Sequence, residues 1–145
     1  EVTAIQLAKE SKSANTVRYM MLEKNIKDLE LVELNMTGAF SAQYAFLSNL
    51  SALDDMPLNN GDIVALLLES EDEMRQEIVD WLMGFMHMAY TPLSDEDLKT
   101  YLNFLSSADG QVLNKTLFYI FNDLSVQTSG DLADLIVSFK RAREL

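Results

Sequence analysis

The sequence predicts an all-α protein: a single helical domain over residues 1–145, a bundle or array of about seven or eight helices with mostly antiparallel neighbours. Three observations carry this. Apolar residues recur at three- and four-residue spacing along nearly the whole chain, and strict alternation is absent. Two prolines and five isolated glycines are the only strong breakers among 145 residues, with no repeat, low-complexity tract or linker to divide the chain. Connections between successive helical stretches are short, which favours antiparallel neighbours. With 48% apolar residues and this length, about two-thirds of the unfolded surface can be buried. Folding then needs neither disulfides nor metal.

The first helix is expected from Val2 to about Lys9, with Val2, Ile5 and Ala8 on one stripe. Ser13 looks like the cap of a longer helix carrying Val17, Met20, Met21, Ile26 and Leu29 towards Leu34. Gly38 weakens that pattern, so a third helix is placed from about Ala39 to Leu53, either separate or as the second limb of one bent helix. Asp54–Pro57 should end it, because the residue before proline is pushed out of the helical region. Asn59 or Asn60 then caps a fourth helix with Ile63, Leu66 and Leu67 inward.

A fifth helix starts near Glu71, with acids in its first turn where the helix dipole favours them. Its expected inner stripe is Met74, Ile78, Leu82 (with Trp81), Phe85 and Ala89. Thr91-Pro92-Leu93 breaks it, and Ser94-Asp-Glu-Asp97 is a capping signature opening a sixth helix that buries Leu98, Leu102 or Tyr101, and Leu105. Ser107–Gly110 opens a seventh. Its apolar set from Val112 to Leu124 wraps most of the circumference, which predicts the most enclosed helix of the protein. Ser129 is expected to cap an eighth, with Asp131 and Asp134 at its start and Lys140, Arg141 and Arg143 at its end.

The net charge of −12 is localised. Sixteen acids and two bases fall between Asp28 and Asp109, while both flanks are near neutral. Such acidity argues against nucleic acid and anionic membrane surfaces, both of which select basic faces. No apolar run approaches the ~20 residues needed to span a bilayer. Without cysteine, thiol nucleophiles, Fe–S clusters and cysteine zinc sites are excluded.

Catalytic constellations are nearly absent. His87 is the single histidine, no nucleophile elbow or phosphate-cradling glycine loop occurs, and no cofactor is implied. EF-hand spacing fails around Gly61 and Gly110, since leucine, methionine or valine falls at ligand positions. Three groups remain. Glu73, Glu77 and Asp80 share one helical side and form a candidate docking row for a basic protein, set against a plain solvent face. Met83, Met86 and His87 form a soft-ligand set suited to Cu(I), set against ordinary core filling. Met20, Met21, Phe118 and Phe121 are candidate walls for an apolar ligand between helices.

From Tyr90 to Gly110 the chain reads Tyr-Thr-Pro-Leu-Ser-Asp-Glu-Asp-Leu, then Phe104-Leu105, then Ser107-x-x-Gly110. This resembles the pattern of a bacterial, mostly periplasmic, all-helical family known only as a domain of unknown function. Leu93, Leu105 and Ala108 depart from the phenylalanine, tyrosine and proline usual in that pattern. The resemblance covers about a third of the chain and implies an exported helical domain with no catalytic residues to transfer. The combined expectation is a non-enzymatic helical module of the cell envelope acting through protein contacts, with a carrier or sensor of an apolar molecule as the alternative.

Overall fold

The computed structural model describes residues 2–14, 16–51, 53 and 58–143, the side chains of residues 2–5 and 7 excepted. Among these are seven helices and no strand: α1 (Val2–Ser13), α2 (Val17–Asp28), α3 (Leu31–Leu50), α4 (Asn60–Glu69), α5 (Glu71–Tyr90), α6 (Asp95–Leu105) and α7 (Ala108–Arg143). The fold is all-α, as the periodicity predicts. The proposed stop at Asp54–Pro57 lies outside the described residues.

Several boundaries differ from expectation. Ser13 closes α1 instead of opening α2, its hydroxyl donating to the Lys9 carbonyl. The cap of α2 is Thr16, which accepts from the Tyr19 amide. The break in the long second stretch falls at Leu29–Glu30 and not at Gly38. Glu30 is left-handed (φ 53°, ψ 34°), which costs about 1–2 kcal/mol for a residue with a Cβ. Burial of Leu29 and Leu31 on either side of it offsets that cost. No glycine or proline marks this turn, so local pattern does not reveal it. Gly38 instead continues α3 and serves close approach: a Cβ there would lie 2.3 Å from the Asn122 Oδ1 atom of α7.

Asn59 is the cap of α4, and it forms a reciprocal capping box with Asp62. Ile63 and Leu67 point inward as expected, whereas Leu66 is exposed. In α5 the inner face is rotated from the expected stripe. Leu82, Met83, Met86 and His87 are buried, while Trp81, Phe85 and Ala89 face outward. Ser94 accepts from the Asp97 amide to start α6, which buries Leu98 and Leu102 but exposes Tyr101.

α7 is the largest departure. It is one 36-residue helix, and Ser129 sits in its interior without starting anything. Gly130 at the expected junction is buried against α3, where the Asn49 side-chain amide donates to the Gly130 carbonyl (3.3 Å) and to Asp134 Oδ1 (3.2 Å). Tertiary contact thus holds a glycine in helix at a point where propensity alone loses about 1 kcal/mol.

The principal core gathers Leu22 and Ile26 of α2, Met83 and Met86 of α5, and Leu98 and Leu102 of α6, with Ala8 of α1 against them. α3 and α7, the most extensively packed pair, are not consecutive and run parallel: Gly38 faces Asn122, and Asn49 faces Gly130 and Asp134. Arg18 ties the core together at one end. Its guanidinium donates to Asp95 Oδ1 and to the carbonyls of Tyr90 and Leu93, fixing α2 to the α5–α6 turn.

Candidate functional site

The soft-ligand set on α5 is a core feature. Met83 and Met86 belong to the principal cluster, and the His87 ring is buried with the Tyr19 ring stacked 6.3 Å away. Among the described residues, His87 Nε2 is buried without a hydrogen-bond partner. Burial first, and the nearby Arg18 charge second, hold the imidazole below its ordinary pKa, so it is kept neutral. Among the described residues no three histidine or carboxylate side chains come together as a metal-holding group.

The acidic row is split. Glu73 and Glu77 are exposed, but Asp80 is partly covered, accepts from Gln76 and lies 4.0 Å from Lys9 of α1. Asp80 therefore helps seat α1 on α5 instead of standing free beside the other two. Elsewhere on the same helix, Arg75 bridges Glu71 and Glu33 of α3, and this partner holds the Glu33 carboxyl below the usual range. Tyr90 is pushed up to about 12, by burial first and by Tyr101 second, so its phenol stays protonated at neutral pH.

The residues expected to enclose an apolar ligand do not converge. Met20 is exposed, and Met21 lines a shallow cleft between α2 and α6 with Asn25 and Ser106. Phe118 and Phe121 line a different groove of about 550 Å³ between α3, α5 and α7. Its floor is Gly38, Ala39 and Ala42, and its walls are Ile78 and Trp81 on one side and Leu117 and Phe121 on the other. Phe85 stacks on Trp81 at 5.3 Å and extends the apolar rim.

The most extensive apolar feature is one the sequence presents and enclosure misreads. α7 is largely open along its length, not the most enclosed helix. Its inner seam, including Val126, Ala133 and Val137, turns towards α3. On the outer side, Leu117, Phe121, Leu124, Leu132, Leu135 and Phe139 are each between 44% and 76% exposed. With Thr128 these residues follow separations of 4, 3, 4, 4, 3 and 4. That is an eleven-residue period, close enough to 3.6 residues per turn to keep them in one nearly straight line. The line runs ~33 Å at 1.5 Å per residue. The acids of α7, Asp109, Asp123, Asp131 and Asp134, fall on the edge away from α5, so the edge beside the groove carries no carboxylate.

The chain exposes 9672 Å² of accessible surface, against about 7,500 Å² for a compact monomer of 16.4 kDa. The period of the outer stripe was visible in the sequence; that none of the other described residues covers it was not. Comparison with family models, curated proteins and solved structures finds no match to this chain. Among the described residues, no helix is long and apolar enough to cross a membrane.

Proposed function

We infer that this chain is a non-catalytic helical module that works through protein–protein contacts made on the outer face of α7 and the adjoining groove. The observation that carries this reading is the line of six large apolar side chains left open from Leu117 to Phe139. Monomeric proteins rarely leave contiguous apolar patches beyond a few hundred Å² uncovered, and larger ones mark contact sites. Exposed Glu73 and Glu77 on α5 remain a separate candidate docking row for a basic protein, a lesser contribution than apolar burial. Placement in the bacterial envelope rests on the resemblance of Tyr90–Gly110 to an exported family.

The test is a photo-reactive benzoylphenylalanine in place of Phe121, activated in living cells. Discrete protein adducts identified by mass spectrometry, and lost when Leu135→Asp is added, are the expected result. Absence of any protein adduct refutes the reading. A second reading, a carrier of an apolar molecule, is favoured by the groove alone, whose ~550 Å³ falls in the range of small-ligand pockets. Native mass spectrometry of gently purified protein separates the two, since a carrier retains a stoichiometric adduct that Trp81→Ala releases.

A further inference from the structure

We propose that the partner on this face is a second copy of the same chain, packed antiparallel along α7 about a two-fold axis at Thr128. The proposal rests on the protein-contact reading above and specifies its occupant.

Three observations converge on it. The first is the area. The surface in excess of a compact monomer is about 2,200 Å² over the whole chain, whereas a standard specific interface takes only about 800 Å² from each partner. The chain thus has enough surplus surface for a dimer of the larger, permanent kind.

The second is self-complementarity. A two-fold interface requires one patch to match itself, with residue i meeting j and j meeting i. The outer line is symmetric about Thr128. Antiparallel pairing at that centre brings Leu117 to the partner's Phe139, Phe121 to the partner's Leu135, and Leu124 to the partner's Leu132. Thr128 then meets its own copy.

The third is shape. The groove beside Leu117 and Phe121 is concave and mainly apolar, with Asn114, Asn122 and Ser125 along its α7 side, while Leu135 and Phe139 are among the most exposed apolar side chains of α7. The antiparallel register sets these projections of one copy over the groove of the other, twice per dimer. A two-fold axis across the helices also leaves each edge on the same side. The groove edges therefore face each other, and Asp123, Asp131 and Asp134 stay on the solvent side of the pair.

Light scattering after size exclusion should give twice the 16.4 kDa chain mass at micromolar concentration. Leu124→Asp with Leu135→Asp should halve the mass while leaving the helical circular dichroism intact, because both side chains are exposed. The chain has no cysteine, so Thr128→Cys carries a single thiol. Mild oxidation should link it into a disulfide dimer, and Asp123→Cys, on the acidic edge, should stay unlinked. A monomer at 100 µM overturns the proposal, and so does a dimer that survives both aspartates. A dimer in which Thr128→Cys fails to link overturns the antiparallel register. Should the chain be monomeric while Phe121 cross-links to a different protein, the contact reading stands and self-pairing alone is lost. A monomer with no protein adduct removes both.

Discussion

A methyl group added at Gly110 should destabilise this protein, although alanine is the better helix former. Gly110 is buried in the first turn of α7, where that helix crosses the end of α6. A Cβ there would lie 2.1 Å from the Phe104 carbonyl oxygen and 2.7 Å from both Cα and O of Leu105. These are backbone atoms and cannot rotate away, so α6 and α7 must part. Overpacking of this kind costs about 1–3 kcal/mol. Parting the helices also strains the cap in which Ser107 Oγ accepts from the Gly110 amide, a contribution of ~1 kcal/mol. Alanine's helix preference returns at most ~1 kcal/mol. The net expectation is a loss of about 1–3 kcal/mol, or about 4–8 °C in Tm at the middle of that range.

Gly38→Ala is the matched control. Its nearest neighbour is the tip of the Asn122 side chain, which can turn aside, so the helix preference offsets the cost of displacing that tip and the change should be close to zero. Urea unfolding followed by circular dichroism, at one fixed protein concentration, measures both. If Gly110→Ala is as stable as the parent, or Gly38→Ala loses as much as Gly110→Ala, the distinction between backbone and side-chain contact is wrong.

Arg18→Ala should cost about 2–3 kcal/mol, because three donor contacts from one guanidinium hold the α5–α6 turn; Arg18→Lys should recover less than half, since an ammonium cannot span all three acceptors. Acid should weaken the fold through His87. Its folded pKa lies below the unfolded value of about 6.5, so the unfolded chain takes up the extra proton first. This component of stability is intact above pH 6.5 and falls as pH drops below it. His87→Leu should flatten the slope of stability between pH 5 and 6.5, and an unchanged slope would show that the ring is not held neutral. Glu73→Lys and Glu77→Lys should leave the urea midpoint unchanged. Asp80→Lys should speed amide exchange in α1 by up to about fivefold, the equivalent of ~1 kcal/mol for a surface ion pair; equal effects at all three would mean that Asp80 is as free as the others.

The all-α class, the turn at Thr91–Leu93 and the caps at Asn59 and Ser94 were legible in the sequence because each depends on residues within a few positions of one another. The left-handed turn at Glu30 was not, since what enforces it is burial of Leu29 and Leu31 by distant parts of the chain. Gly38 and Gly130 look like breaks in a linear pattern and become contact points once α3 lies against α7. The same holds for the candidate sites. Met83, Met86 and His87 share a helical side by spacing alone, but only packing shows that this side is the core. Glu73, Glu77 and Asp80 share another, and only the position of α1 separates Asp80 from the rest. Periodicity fixes which residues of α7 lie in one line. Whether that line is inside or outside is decided by how many neighbours the remaining chain supplies, and here α3 covers one side of α7 and leaves the other open.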